Sequence, residues 1–186
     1  MAITPHRRSN HVEPRGLIAT LRHYIRDLVY GANDGIITTF AVVAGVAGGS
    51  LSETAVLIIG AANLAADGLS MAVGNFLAIR ANESARAVED LPEEEAHPEK
   101  HAVATMIAFV MAGAVPLASS VFPELWPGRF AWSCALTLGT LFAVGAARGL
   151  ITLDRWWAAG AEMLALGVCV AGAAYAAGYL VAAMVS

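Results

Sequence analysis

Residues 28–48 read LVYGANDGIITTFAVVAGVAG, a run of apolar and small residues interrupted by one charge, that of Asp34. The hydrocarbon core of a bilayer is about 30 Å thick and a helix rises about 1.5 Å per residue, so about 20 such residues cross it. A helix in the core of a soluble protein would show a charged face, which this run lacks. The stretch therefore predicts a transmembrane helix.

Four more apolar runs follow, separated by the charged and turn-forming segments. Of the 186 residues, 58% are hydrophobic and 14% charged, against roughly 25% charged in soluble domains. We predict an all-α membrane protein with a cytosolic tail over 1–26 and a single five-helix transmembrane domain over 27–186. Its spans are expected at about 28–48, 54–79, 102–122, 130–150 and 158–185, with a short acidic cytosolic loop over 80–101.

The positive charges predict the orientation, because loops on the cytosolic side are enriched in Lys and Arg. With the N-terminus in the cytosol, only Arg129 of the 11 basic residues falls on the outer side. The tryptophans agree, since an aromatic belt would place them at both membrane surfaces. Trp126 and Trp132 flank the outer turn, and Trp156 and Trp157 the inner one. The C-terminus is then outside.

The first span contains acidic residues, which are unusual in an apolar membrane-spanning helix. A central Asp costs about 2.5–3.5 kcal/mol on insertion scales and persists where it faces the bundle interior or an aqueous path. Asp34 lies about 10 Å deeper than Asp27 by the helical rise, on nearly the same face. Asp27 is either a functional acid or a helix N-terminal acid favoured by the dipole. Asp34 is either functional or bonded to a neighbouring helix.

The second span carries a polar stripe with a four-residue spacing, which stacks its members on one helix face. The stripe consists of Asn63, Asp67, Met71 and Asn75. Oxygen ligands alone would suit Mg²⁺ or Ca²⁺, and a thioether beside them favours a transition metal. Met71 is alternatively a packing residue. Glu162, which opens the fifth span, either lines the cytosolic mouth or reaches the lipid headgroups.

The loop over 80–101 holds seven acids against three bases, together with His97 and His101. Such a cluster either gathers divalent cations by its field or is a solvated loop. No histidine falls within a predicted span, which argues against a buried haem and a His-rich intramembrane zinc protease.

Two motifs resemble signatures of the vacuolar iron transporter family. Residues 26–45, RDLVYGANDGIITTFAVVAG, resemble its first helix, and residues 63–77, NLAADGLSMAVGNFL, its second. The resemblance implies a homodimer of five-helix protomers that exports Fe²⁺, and often Mn²⁺, from the cytosol in exchange for protons. It also implies that Asp34 and Met71 are the carboxylate and thioether of the metal pathway, with Asp27 at the cytosolic entrance.

The chain departs from plant and yeast relatives in two ways. Those relatives tend to have Glu where Asn63 stands and Gly where Asp67 stands, so the acid lies one turn deeper here. They also carry a long, Glu-rich metal-binding domain between spans two and three, where this chain has only the short loop. The pattern resembles the compact prokaryotic branch, which implies a plasma membrane location.

We therefore expect a proton-coupled exporter of Fe²⁺, with Mn²⁺ as a further candidate. Asp34 and Asp67 would hold the ion with help from Met71, Asn63 and Asn75. Two alternatives stay open: a transporter of another cationic solute, and a non-transporting membrane scaffold. No nucleophile–base pair or phosphate-binding loop is visible, so we expect no enzyme activity, no cofactor beyond the transported ion, and no nucleic-acid partner.

Close helix contacts are also expected, because glycines let helices approach each other in lipid. We expect the pair Gly31 and Gly35 to bring two first helices together across a dimer axis. For the later pair, Gly145 and Gly149, we expect packing within the bundle.

Overall fold

The computed structural model describes residues 9–49, 52–121 and 128–185. Within these ranges the chain forms six helices. They are α1 (Leu17–His23), α2 (Ile25–Gly48), α3 (Glu53–Val88), α4 (Pro98–Val121), α5 (Arg129–Thr152) and α6 (Trp156–Val185). Helices α2 to α6 are each long and apolar enough to cross a membrane, which confirms the predicted five-helix architecture. Trp126 and the end of the third predicted span, Phe122, lie outside the described residues.

Two helices extend beyond the spans expected from hydropathy. Helix α3 continues to Val88 and α4 begins at Pro98, so the connection between them is only residues 89–97. Residues 80–88 include three Ala and two Arg, which favour a helix in water as well as in lipid. Proline is favoured at the first position of a helix, where its missing N–H is no loss. A hydropathy profile reports neither helix propensity nor the preference of proline for the first helical position.

Helix α2 is the centre of the bundle and contacts α3, α4, α5 and α6. Its closest approaches occur at glycines. A Cβ added to Gly31 would lie 2.4 Å from the carbonyl oxygen of Thr105, and one added to Gly35 would lie 2.3 Å from that of Phe109. This glycine pair therefore packs α2 against α4 within one protomer. The expectation that it joins two first helices is wrong, because the space beside it is already filled.

The later glycine pair, Gly145 and Gly149, packs within the bundle as expected. A Cβ on Gly145 would lie 2.5 Å from the carbonyl oxygen of Ala159, and one on Gly149 would lie 2.8 Å from the Cα of Trp156. The turn between α5 and α6 is therefore followed by tight antiparallel contact of the two helices. Farther along, Gly178 of α6 meets the backbone of Gly45 on α2.

The contact of Gly35 with α4 leads to a stability prediction. We expect Gly35→Ala to lower the free energy of unfolding by about 1–3 kcal/mol, since the methyl group would have to displace the backbone of Phe109. Gly139→Ala is the matched control, because a Cβ added to this glycine of α5 would have nothing within 4 Å. Thermal unfolding in detergent should separate the two variants, and equal melting temperatures would contradict the packing described.

The tail covers one end of the bundle, which we call the tail side, together with the connection over residues 89–97. The backbone N–H of Asn10 donates to the carbonyl oxygen of Glu93 at 2.8 Å. Arg22 Nε on α1 donates to the carbonyl oxygen of Ile151 at 3.1 Å. Lys100 Nζ donates to Glu13 Oε1. These contacts hold residues 9–24 against the mouth of the bundle.

Candidate functional site

Asp27 is the most buried acid in the described part of the chain, with 2% of its surface exposed. It lies in the first turn of α2, and its two oxygens are bound from different helices. Asn75 Nδ2 on α3 donates to Oδ1 at 2.8 Å, and the Nδ1 atom of His101 on α4 lies 2.5 Å from Oδ2. The helix dipole also favours an acid at this end. Asp27 therefore joins three helices at the tail side.

Asn75 and Thr105 complete this network. The Asn75 amide donates its second hydrogen to Thr105 Oγ1 at 2.8 Å, and that hydroxyl donates to the carbonyl oxygen of His101 at 2.9 Å. Buried polar groups cost free energy unless they are bonded, and here each partner satisfies another. The stripe on α3 is thereby fixed so that its Asn75 end faces α2.

His101 was expected in a loop, but it is the fourth residue of α4 and is 3% exposed. The buried face of α4 repeats every four residues through His101, Thr105, Phe109 and Gly113. That spacing is visible in the sequence, and a helix starting at Pro98 would place His101 on the packed face. This position was not expected, because the predicted span was limited to apolar residues and so began after His101.

The imidazole of His101 bridges two carboxylates. Its Nδ1 faces Asp27, and its Nε2 lies 3.0 Å from Glu95 Oε2 in the connection between α3 and α4. A carboxylate that accepts from Nδ1–H fixes the ring and its tautomer, and leaves Nε2 as the outward-facing nitrogen. Neither the contact of His101 with Asp27 nor that of Glu95 with His101 was expected from the sequence.

The hydrogen bond between Asn75 and Asp27 fixes the position of α3 relative to α2 along the helix axes. Seven residues along α2 lead from Asp27 to Asp34, a rise of about 10.5 Å, and eight residues back along α3 lead from Asn75 to Asp67, about 12 Å. Because the two helices are antiparallel neighbours, both steps lead in the same direction, to nearly the same depth. We call Asp34 and Asp67 the acidic pair.

The acidic pair is half-buried, as are Asn63 and Met71 on the same stripe of α3. Within the described ranges, neither carboxylate of the pair accepts a hydrogen bond from another side chain; the Asp34 backbone carbonyl accepts one from Thr38 Oγ1 at 2.8 Å. Asn63 Nδ2 and Asn33 Oδ1 are buried without a hydrogen-bond partner. The pair thus differs from Asp27, whose oxygens are both occupied.

A cavity of about 470 Å³ opens at the tail side beside Asp27 and Asn75. It is bounded by α1 through His23, by α4 through His101, and by the connection through Glu95. The cavity leads from the surrounding solution to the first buried acid. Its polar walls carry both imidazole and carboxylate groups.

Glu162 lies in a different cavity, of about 390 Å³, between α2, α5 and α6. Its Oε2 accepts a hydrogen bond from Arg148 at 2.6 Å, and Asn33 and Tyr30 line the same cavity. The structure therefore brings Asp27 together with Asn75 and places Asp34 and Asp67 at nearly the same depth, but does not bring Glu162 to either group.

The electrostatics of the tail support its docking at this mouth. The hydrogen bond from Lys100 lowers the pKa of the Glu13 carboxyl below its usual range. A lowered pKa means that the contact is fully present above the ordinary pKa of a glutamate and is lost only as the pH falls through the lowered value. Burial raises the pKa of Tyr24, which lies between α1 and α2.

A family model and several known proteins that resemble this chain all point to one protein family. The sequence model of the VIT family matches residues 25–90 and 81–179. Vacuolar iron transporter homolog 2 of Oryza sativa subsp. japonica is 30% identical over 145 residues, which cover 69% of this chain and 75% of that protein. Vacuolar iron transporter homolog 1 of the same plant is 32% identical over 137 residues, 67% of this chain and 59% of that protein.

A third relative has a higher sequence identity than the two rice proteins, but over a shorter stretch. The vacuolar iron transporter of Toxoplasma gondii is 41% identical over 81 residues, which cover 44% of this chain and 25% of that protein. The chain thus spans three quarters of one rice protein, somewhat more than half of the other and a quarter of the Toxoplasma protein. The family match, in contrast, covers most of the chain and both halves of the acidic pair. The chain belongs to the VIT family, the vacuolar iron transporters.

Proposed function

We propose that this protein transports divalent transition-metal ions across a membrane, with Fe²⁺ as the main substrate and Mn²⁺ as a further one. The observation that carries the proposal is the acidic pair: two half-buried carboxylates at nearly the same depth on adjacent membrane-spanning helices. The names of the relatives, which are iron transporters or their homologues, point to the same substrate.

The chemistry of the pair suits such an ion. Two carboxylates close together inside a bundle are stable only when a cation or a proton offsets their repulsion. A divalent ion would satisfy both at once, and Met71, one turn from Asp67, would add a soft ligand that hard cations do not need. When the ion leaves, protons would replace it. Exchange of metal for protons is therefore part of the proposal.

The direction of transport follows from the proposed orientation. Of the nine Lys and Arg residues in the described part of the chain, eight lie toward the tail side and Arg129 begins α5 at the opposite end, so we assign the tail side to the cytosol. Ions would enter through the tail-side cavity past Asp27, reach the acidic pair about 10 Å farther in, and leave on the opposite side. We place the protein in a prokaryotic plasma membrane, with its C-terminus outside.

A homodimer is also proposed. Because Gly31 and Gly35 are occupied by α4, the contact between protomers has to use another surface. Residues of α3 next to Asp67 and Met71, such as Ala66, Ser70 and Val73, are exposed in the single protomer. A second copy against this flank would cover the open side of the acidic pair. The mass of the protein in detergent tests for the dimer, and cross-linking of Ser70→Cys in a background without Cys134 and Cys169 tests for the surface.

Reconstituted transport tests the function. Purified protein in liposomes should carry Fe²⁺ and Mn²⁺ down a gradient, and a pH dye inside the liposomes should report protons moving the other way. Ca²⁺ and Mg²⁺ are expected to be carried poorly, since neither gains from the thioether. Liposomes that carry no metal would overturn the proposal. Metal flux with no pH change would contradict proton exchange but would still support metal transport.

Met71 distinguishes a metal carrier from a carrier of organic cations. We expect Met71→Leu to weaken Fe²⁺ transport severalfold, mainly through a higher KM, because leucine keeps the volume and removes the sulfur. Met106→Leu is the control, since Met106 is exposed on α4. Initial rates over a range of Fe²⁺ concentrations make the comparison, and a silent Met71→Leu would favour a carrier for another cationic solute.

A further inference from the structure

Four imidazoles meet at the tail side, although they come from four separate parts of the chain. His11 belongs to the tail, His23 to α1, His97 to the connection and His101 to α4. The ring centroids of His97 and His11 are 5.6 Å apart, those of His11 and His23 5.8 Å, and those of His23 and His101 5.1 Å. These rings form a continuous row above the cavity that leads to Asp27.

Glu95 is the centre of this row. Its Oε2 lies 3.0 Å from His101 Nε2, 3.4 Å from His11 Nδ1 and 3.8 Å from His23 Nε2. Two ligands of one tetrahedral ion with bonds of about 2.0–2.1 Å lie about 3.3 Å apart. The distances from Glu95 to these nitrogens fall around that value. In the described part of the chain no Lys or Arg nitrogen lies within ion-pair distance of Glu95, whereas Glu94 is paired with Arg86.

Two nitrogens of the row are buried and have no hydrogen bond. They are Nε2 of His11, whose side chain is 6% exposed, and Nε2 of His23. A buried nitrogen without a partner is costly, and most such atoms in folded proteins are bonded. A metal ion would satisfy the His23 nitrogen by accepting its lone pair. Ordinary solvation of a surface cluster does not account for these atoms.

We propose that His23, Glu95 and His101 bind a divalent first-row transition-metal ion at the tail side of the protein. Ligand atoms of these three residues lie within 4.8 Å of one another. Asp27 acts as a positioning residue, because it accepts from Nδ1 of His101 and directs Nε2 toward the ion. Two imidazoles and one carboxylate select transition metals such as Fe²⁺, Co²⁺ and Zn²⁺ over Mg²⁺ and Ca²⁺.

The protein holds the ligands in place through its backbone. Glu83 Oε1 on α3 accepts hydrogen bonds from the backbone N–H groups of Glu94 and Glu95, at 3.2 and 3.1 Å. Arg86 donates to the carbonyl oxygen of Pro92 through both Nε and Nη2. The connection is therefore fixed to the water-exposed end of α3, which orients Glu95 toward the histidines.

A second group, His11, Glu13 and His97, also brings three ligand atoms together. It is the weaker candidate, because Lys100 already donates to Glu13 and would compete with a cation there. Its geometry favours a docked tail held by charge. The proposed ion is therefore assigned to the group around Glu95.

The position of the ion gives it a role. It would lie at the outer end of the bond between His101 and Asp27, which begins the route to the acidic pair. We assign it to a loading site, where ions are captured before they enter the bundle. Binding itself is independent of transport, whereas the loading role depends on the proposed function.

Binding of Co²⁺ to the untagged full chain in detergent tests the site. The chain carries Asp34→Asn and Asp67→Asn, so that the acidic pair does not contribute, and calorimetry and visible absorption follow the titration. We expect one tight equivalent, with absorption bands of nitrogen and oxygen ligands, that excess Mg²⁺ does not displace. His23→Ala and Glu95→Gln should each weaken binding by at least about tenfold. Both residues lie outside the packed bundle, so the fold should survive.

Glu99→Gln is the matched control, because it removes the same charge four residues away, at an exposed position outside both groups, and should leave the affinity unchanged. The proposal falls if Co²⁺ does not bind, or if His23→Ala and Glu95→Gln bind it as tightly as the control. Failure of the proposed function would look different. Transport would then be missing in liposomes, while the Co²⁺ titration gave the same result.

Discussion

Replacing Asp34 with Asn is expected to lower the Fe²⁺ flux into liposomes by at least about tenfold. Asn keeps the size and removes the charge, so the helix packing around Gly35 and Ile36 is preserved. Asp67 is then a single carboxylate, which is too little charge to hold a divalent ion in a low-dielectric site. Asp67→Asn should cause a loss of similar size, because each acid depends on the other.

The double variant shows whether the two acids share one ion. If they do, Asp34→Asn with Asp67→Asn should be little worse than either single variant, since the site is already broken. Losses that multiply would mean two independent sites. Asp154→Asn is the control, because Asp154 lies in the exposed turn between α5 and α6, where its carboxylate accepts a hydrogen bond from Thr152 Oγ1. Full flux in all three acid variants would contradict the assignment.

Asp27→Leu is expected to lower the free energy of unfolding by about 3–5 kcal/mol. The substitution removes the acceptor of both Asn75 and His101, and leaves two buried polar groups without their partner. Its effect on stability should exceed that of Asp34→Asn, because the carboxylate of Asp34 accepts no side-chain hydrogen bond in the described residues. Unfolding by SDS in mixed micelles measures the difference.

Two further variants make this prediction specific to Asp27. Glu99→Ala removes an exposed acid near the same end of α4 and should change stability by less than about 0.5 kcal/mol. Asn75→Ala should be intermediate, since His101 keeps its bond to Asp27. An Asp27→Leu protein as stable as Glu99→Ala would show that the network at the tail side does not hold the three helices together.

Much of the fold follows from the sequence, because a bilayer imposes a simple rule. Each span needs about 20 apolar residues, and the runs that satisfy the rule became α2 to α6. The stripe of Asn63, Asp67, Met71 and Asn75 could also be recognised, since polar residues four apart inside a span have only one face to share. The structure shows which helix this face of α3 packs against. It is α2, whose Asp27 accepts a hydrogen bond from Asn75.

Contacts between distant segments could not be predicted in the same way. His101 and Glu95 lie in a charged stretch that hydropathy assigns to solvent, and nothing local indicates that His101 lies between Asp27 and Glu95. The docking of His11 depends on a backbone contact between Asn10 and Glu93. Gly31 and Gly35 show the same limit, because a glycine pair predicts a close helix contact but not which helix makes it.

If Asp34 and Asp67 together hold the ion inside the membrane, the position of bound Mn²⁺ should show it. Crystals grown with Mn²⁺, with diffraction recorded at the manganese absorption edge, would show each ion as an anomalous peak. We expect a peak between the carboxylates of Asp34 and Asp67, beside Met71, that disappears in Asp67→Asn. Crystals of transport-competent protein with no peak there, or with an unchanged peak in Asp67→Asn, would contradict it.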